Sequence, residues 1–237
     1  MLPLPHCNRC FAGLKFNKVF DTKTNRETFD QIAESWYRTR HWPLLPEELE
    51  ELAARWHGGR LLNVGCGHGP DFLPFKQTFQ LWGVDFSLAM LRQAQKYAAK
   101  FKLYVNLVAA DVLFLPFPES FFDWAVAVAT YHHIRGEGAR EKAFSELKRV
   151  LKHGGEAFLS VWNYGQPRFW FKRREQYIPW RLKQKTVYRY YHLFTYGELR
   201  KLLTKTGWEI LSIFPERSYR FPIKYFSRNI CVLIKKP

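Results

Sequence analysis

Short apolar runs alternate with stretches of helical period along most of the chain. Arg60–Val64, Phe79–Val84, Leu103–Ala109, Phe121–Ala129 and Glu156–Trp162 read as strands. Phe121–Ala129 is apolar at nearly every position, as a central parallel strand requires. Between these runs the period changes. Ser87 caps a helix through Lys100, and Glu137–Leu151 sets Phe144, Leu147, Val150 and Leu151 on one face. Gly154 and Gly155 are predicted to end that second helix. Thr195 caps a helix through Thr206 with Gly207 as its stop, and Trp208–Phe214 and Asn229–Ile234 form two last strands. Ahead of the alternation, Thr28–Arg40 carries a helical stripe at 29, 32, 33, 36 and 37, ended by Pro43. Pro46 opens a second helix, PEELEELAARW, with glutamates in its first turn and Gly58 and Gly59 beyond its end. Residues 1–27 are irregular and mildly basic and read as a lead-in.

Strands alternating with helices predict an α/β fold, a Rossmann-like, doubly wound and mostly parallel sheet. Residues 28–237 form one domain on this reading. A stretch at about 164–191 interrupts the rhythm and is long for a plain connection. Between Arg168 and Arg189 it holds eight basic residues against one acid, Glu175, with Phe169, Trp170, Phe171, Tyr177, Trp180 and Tyr188 among them.

The whole chain has 237 residues, 37 Lys plus Arg against 21 Asp plus Glu, and a net charge of +16. Such a charge favours a polyanionic partner, nucleic acid first, over a solubilising surface or loose attraction to anionic lipid. No run approaches 18 uncharged apolar residues, so no membrane span is predicted. The opening MLPLPHCNRCF lacks the layout of a secretory signal, which makes the cytoplasm the expected compartment. Cys7 and Cys10 form a CxxC without a second half, so no metal site is expected.

The chemistry gathers at strand ends. The first strand runs into NVGCGHGPDF, with glycines at 65, 67 and 69 around Cys66. Asp85 ends the second strand, placed to accept both hydroxyls of a ribose, and Asp111 follows the third, where it can meet an adenine amino group. A dinucleotide fingerprint wants a glycine at 70, where Pro70 stands and removes an N–H that a pyrophosphate would use. The spacing suits S-adenosylmethionine instead. A tight turn joining strand to helix is the alternative for the loop alone. Candidate cofactor-binding residues are Gly65, Cys66, Gly67, Gly69, Asp85, Phe86, Ser87, Asp111, Val112 and Thr130.

Leu61–Trp162 resembles the class I methyltransferases throughout. IAESWYRTRHWP (Ile32–Pro43), VATYHHIRGEGAR (Val128–Arg140), RYYHLFTYGEL (Arg189–Leu199) and SRNICVLIKK (Ser227–Lys236) resemble blocks of the tRNA wobble-uridine carboxymethyl methyltransferases. His68, Ala139 and Ile230 depart from that family's usual residues. The resemblance implies a seven-stranded sheet with an antiparallel last strand. It implies methyl-ester formation on a 5-carboxymethyl wobble uridine, with the tRNA anticodon stem-loop as substrate. It also implies a small zinc-binding activator protein, for which Leu103–Val108 is a candidate edge. A methyltransferase for a small-molecule acid, quinone or lipid precursor is the alternative on the same fold.

A carboxylate acceptor is ionised near neutrality and needs no general base, so positioning and desolvation are the tasks left to the protein. Arg40 and Arg140 are candidates for a two-point grip on it. Each has a plainer reading: Arg40 at a helix C-terminus facing the dipole, Arg140 on a solvated helix face. His133, beside His132, is a candidate for a proton role or for orienting a loop. Arg168, Lys172, Arg173, Arg174, Arg189, Tyr190, His192 and Asn229 are the candidate substrate contacts, basic groups for phosphates and aromatics for splayed bases. Ordinary packing is the plainer reading for Tyr190 and His192.

Overall fold

A computed structural model describes residues 23–237. Seven strands form one sheet: β1 (Gly59–Val64), β2 (Phe79–Asp85), β3 (Val105–Ala109), β4 (Phe122–Val128), β5 (Leu151–Trp162), β8 (Glu209–Pro215) and β9 (Asn229–Lys235). Their order is β3-β2-β1-β4-β5-β9-β8. β1 to β5 pair in parallel, and β9 runs antiparallel to both β5 and β8. The seven-stranded sheet with its last strand reversed is the predicted fold. β3 lies at one edge of it.

Alternation along the central strands makes two cores. In β4, Ala125 and Ala127 join Phe144, Leu147, Leu199 and Leu203 from α4 (Glu137–Val150) and α5 (Tyr196–Lys205). Val126 and Val128 face the other way, toward Leu49, Trp56 and Tyr97 from α2 (Pro46–Trp56) and α3 (Leu88–Phe101). Both faces are therefore apolar and covered, which explains why the strand reads as a continuous hydrophobic run. The buried carboxylate of Glu156 ties α2 to β5 by accepting from Arg55 Nε at 2.9 Å and Trp56 Nε1 at 2.8 Å.

Three elements depart from the sequence reading. α1 spans Lys23–Thr39, so residues 23–27 are helical rather than irregular; Asn25 is buried, with its amide on the backbone of His133 and Tyr190. Cys7 and Cys10 lie outside the described residues. Gly154 and Gly155 do not end α4. The helix stops at Val150, β5 begins at Leu151, and the two glycines sit in the strand where its pairing with β4 shifts register. A Cβ on Gly155 would come within 2.8 Å of the Asp123 carbonyl oxygen, a contact only glycine avoids. Finally, the 164–191 stretch is not merely a connection. It folds into a two-stranded antiparallel hairpin, β6 (Glu175–Arg181) and β7 (Thr186–His192).

The hairpin lies on α1. Trp180 and Val187 pack with Phe29, Ile32, Ala33 and Trp36, and Trp180 Nε1 donates to Ser35 Oγ at 2.8 Å. Asp30 of α1 holds the start of α3, accepting from Ser87 Oγ at 2.6 Å and Ala89 N at 3.2 Å. α1 thereby bridges the sheet ends to the hairpin.

Candidate active site

A cavity of about 430 Å³ opens at the C-terminal ends of β1, β2 and β4, in the range of small-molecule sites. Gly65, Cys66, Gly67, Asp85, Phe86, Asp111, Val112 and Thr130 line it, together with Arg40, His133 and Asn229. Sequence spacing thus brought most of the candidate cofactor residues to one place.

The glycines serve different ends. Gly65 has φ +68°, and a Cβ there would meet Thr130 Cγ2 at 2.3 Å. Gly67 has φ +54° and open space where its Cβ would point, so a ligand can approach its backbone. Asp85 accepts from the N–H of Gly67 and of Ser87, both at 2.9 Å. Its burial nonetheless pushes its carboxyl up to about 6, against those two bonds. Asp111 accepts from Leu113 N at 2.9 Å. Open space over Gly67 and two fixed carboxylates at neighbouring strand ends fit a nucleoside carrying an amino-acid chain.

Other expectations are corrected. Ser87 does not line the cavity; it caps α3, its Oγ accepting from Met90 N at 3.1 Å and donating to Asp30. Cys66 stays on the cavity wall, buried, with its thiol pushed well up by that burial. Gly69 caps the short turn Pro70–Phe75 and stays off the cavity wall.

His133 is held by its Nδ1–H, which donates to the Tyr190 carbonyl at 2.8 Å. Burial lowers it to about 3, so near neutrality it is a fixed hydrogen-bond acceptor through Nε2 and not a proton carrier. His132 is fully buried; its Nδ1 accepts from Trp162 N at 3.2 Å and its ring stacks on Tyr191 at 4.7 Å.

The arginines sort unexpectedly. Arg140 is buried away from the cavity wall, donating to the Ile134 carbonyl at 3.2 Å and lying 5.9 Å from the Phe194 ring centre. It braces the turn after β4 and is not among the residues that line the cavity. Arg40 does line the cavity, its guanidinium 4.2 Å from the Trp36 ring centre. Arg189 is buried between Trp36, Trp180 and Tyr191, donating to Tyr191 Oη at 2.9 Å. Arg168 lies over Trp162 at 4.7 Å and feels the charge of Arg228. Arg174 and His192 both bind Glu198 of α5, at 2.6 and 2.7 Å, and anchor the hairpin base. Tyr190 Oη donates to Glu175 at 3.0 Å. Lys172 and Arg173 are exposed, beyond the cavity.

Sequence reasoning passed over Trp36, Asp71, Trp162, Tyr191 and Arg228, all on the cavity wall. Arg228 stands beside the singled-out Asn229. Its backbone is pinned: its N–H donates to Glu216 at 3.1 Å, and its carbonyl accepts from Asn163 N and Gln166 Nε2, both at 3.0 Å. Arg40, Arg168 and Arg189 all act electrostatically on the Tyr191 hydroxyl, and Arg228 on both Arg40 and Arg168. Arg40 and Arg228 line the cavity, while Arg168 and Arg189 are packed on the rings of Trp162, Trp180 and Tyr191 close enough to act on the same hydroxyl.

The "methyltransferase domain" family profile matches residues 61–155, the glycine loop through the start of β5. A protein of Encephalitozoon cuniculi named as a methyltransferase is 33% identical over 193 residues, 78% of this chain and 86% of that one. The tRNA (carboxymethyluridine(34)-5-O)-methyltransferase of Schizosaccharomyces pombe is 28% identical over 81% of this chain and 91% of its own. Among solved structures, an S-adenosylmethionine-dependent methyltransferase from Clostridium acetobutylicum superposes with a TM-score of 0.69 at 16% identity, over 88% of this chain and 98% of that one, a likeness of fold. Sheet order, strand-end carboxylates and these relatives agree: the chain belongs to the class I S-adenosylmethionine-dependent methyltransferases.

Proposed function

We propose that this chain methylates tRNA, esterifying a 5-carboxymethyl group on the wobble uridine with S-adenosylmethionine as donor. The observation that carries this reading is the pair Arg40 and Arg228 on the wall of the methyl-donor cavity, with Arg168 and Arg189 acting on Tyr191 beside them. The name of the S. pombe relative supports the same acceptor.

Gly65, Gly67, Asp85 and Asp111 would hold the nucleoside half of the donor, which supplies an electrophilic methyl group when bound. Arg228 and Arg40 take the acceptor carboxylate, already ionised near neutrality, so no base is required. A single arginine gripping both oxygens would blunt the nucleophile; several guanidiniums stacked on aromatics set a positive field without a tight pair. Phe29, Trp36, Trp162 and Tyr191 keep water from the reacting oxygen. His133 Nε2 is left to accept a hydrogen bond from the base.

The outer hairpin meets the RNA. Lys172, Arg173, Arg181, Lys183 and Lys185 are exposed for phosphates, and Tyr177 and Tyr188 are exposed for stacking. The free edge at β3 is where a small zinc-binding activator would add a strand. A tRNA substrate would place the protein in the cytoplasm, and no helix among the described residues is long and apolar enough to cross a membrane.

The test is transfer of labelled methyl to tRNA lacking the final modification, followed by nucleoside mass spectrometry. A methyl ester on the wobble uridine is expected. Methylation of a small acid, quinone or lipid precursor with no transfer to RNA would replace this reading with the alternative one.

A further inference from the structure

Resting on the reading that this chain methylates tRNA, we propose that the loop between β8 and β9, with the loop between β5 and β6 beside it, forms a stacking platform for the unpaired bases next to the target nucleotide. Trp170, Phe171, Phe221, Ile223 and Tyr225 are exposed on these two loops. A row of rings joins the loops: Tyr219 lies 6.4 Å from Phe221, Phe221 lies 6.3 Å from Phe226, and Phe226 lies 5.5 Å from Trp170, centre to centre. Phe171 adds a ring fully open to solvent, on a backbone at φ +63° that a bulky residue rarely adopts. At full exposure that ring has no packing among the described residues to offset its backbone.

The two loops are stitched together. Asn163 Nδ2 donates to the Tyr225 carbonyl at 2.8 Å and to the Ser227 carbonyl at 3.0 Å, and Gln166 Nε2 donates to the Arg228 carbonyl at 3.0 Å. A Cβ at Gly165 would collide with the Tyr225 carbonyl, so glycine lets the loops touch. Trp170 Nε1 donates to the Gly165 carbonyl at 3.0 Å and fixes the indole at the seam. The platform also adjoins the cavity. Phe226 stands two residues before Arg228, which lines it, and Arg168 lies over Trp162 of the same wall. Charge decides the occupant. Residues 164–174 and residues 217–228 each hold four basic residues and no acid. Arg217 pairs with Glu51 and Arg174 with Glu198. Lys172, Arg173, Arg220 and Lys224 are exposed and enter no salt bridge among the described residues. The centre of a protein interface is depleted in such charges, whereas rings interleaved with free cations suit a chain of phosphates and unpaired bases. A duplex has no open base faces for these rings, so the platform selects a single-stranded loop. The competing account is an apolar patch that a protein partner covers.

The experiment is filter binding of wild type, Phe171→Ala and Phe221→Ala to an RNA stem-loop carrying the anticodon loop and to an RNA duplex of the same length. Each alanine variant is expected to lose roughly tenfold for the stem-loop and nothing for the duplex, with the salt slope unchanged because no cation is removed. Phe221→Trp should keep the affinity of wild type. A stem-loop stripped of the bases on either side of the target nucleotide, its sugar–phosphate chain intact, should bind wild type more weakly by a similar factor and erase its advantage over the alanine variants. The wild-type half of that comparison does not depend on how the variants fold. Affinity for S-adenosylhomocysteine, measured by calorimetry, should match wild type throughout. Equal losses for both RNAs, unchanged affinity for the stem-loop, an advantage that persists without the flanking bases, or a parallel loss of S-adenosylhomocysteine binding would overturn the platform and leave the patch to the fold, a protein partner or a lipid surface. Wild type that binds no RNA would overturn the proposed function itself, whereas variants that bind the stem-loop as wild type does would overturn the platform alone.

Discussion

Where β1, β2 and β3 end, the cavity's charges are carboxylates fixed by backbone N–H groups a few residues away; where α1, the β6–β7 hairpin and the start of β9 meet, they are guanidiniums lying on aromatic rings. Asp85 reaches Gly67 and Ser87, and Asp111 reaches Leu113. Arg40, Arg168, Arg189 and Arg228 come from segments spread across the whole chain and converge only in the folded state. The acidic side is rigid because local turns dictate it. The cationic side is assembled by packing, with Trp36, Trp162, Trp180 and Tyr191 as the surfaces that hold the arginines apart. On the proposed function, donor recognition rests on local turns and acceptor recognition on packing between distant segments.

The sharpest way to break that division is at Asp85. Asp85→Ala frees two N–H groups and opens the loop that Gly67 occupies. Donor affinity by calorimetry should fall by about 3 kcal/mol, on the order of 100-fold, with the hairpin's affinity for tRNA unchanged. A parallel loss of tRNA binding would mean the two sides are one unit. Next comes Arg228→Gln, which removes a charge from the cationic side while Glu216, Asn163 and Gln166 still fix the backbone. It should cost about 2 kcal/mol, roughly 30-fold, in kcat/KM for tRNA, and leave S-adenosylhomocysteine affinity intact. Arg140→Gln, by contrast, should act through stability and not through acceptor binding, since Arg140 braces Ile134.

The same contrast explains what could be read from the sequence. Strand–turn–helix spacing carries the acidic side: Gly65, Asp85 and Asp111 each follow a strand that its own hydrophobic pattern reveals. The Ser87 cap was visible too, but not that its hydroxyl is consumed by Asp30 of a distant helix. The cationic side has no local signature. Arg40 and Arg140 end and begin helices in similar polar surroundings, yet one lines the cavity and the other does not. Arg174, Tyr190 and His192 look like RNA contacts by composition. Their partners are Glu198 for Arg174 and His192, 24 and 6 residues away, and Glu175 for Tyr190, 15 residues away, and these pull them into the hairpin's base. The hairpin itself was hidden because Pro179 and clustered charges mask the alternation Gln176, Ile178, Trp180 opposite Val187, Arg189, Tyr191. Proline is tolerated there because β6 is an edge strand.

A third comparison separates the inner and outer faces of the hairpin. Replacing Arg181, Lys183 and Lys185 by glutamine should lower tRNA affinity several-fold and reduce the slope of log affinity against log salt by about one per charge, or about three in all. Filter binding between low and moderate salt measures it. The donor site should not respond. A salt-independent affinity in wild type would contradict RNA binding by this surface altogether.

The smallest effect concerns stability. Burial pushes Asp71 up to about 7 from an ordinary 3.8. A carboxyl whose folded pKa is raised gives stability that is fully present below its unfolded value and is lost as pH rises through the folded one. Wild type should therefore lose on the order of 1 kcal/mol between pH 6 and pH 8 that Asp71→Asn keeps. The buried histidines, His68 at about 4 and His133 at about 3, are common to both proteins and cancel in the difference. Thermal melts at the two pH values should show the variant gaining on wild type as pH rises. A gap that stays the same at both pH values would mean that the folded protein does not hold Asp71 protonated above its ordinary range.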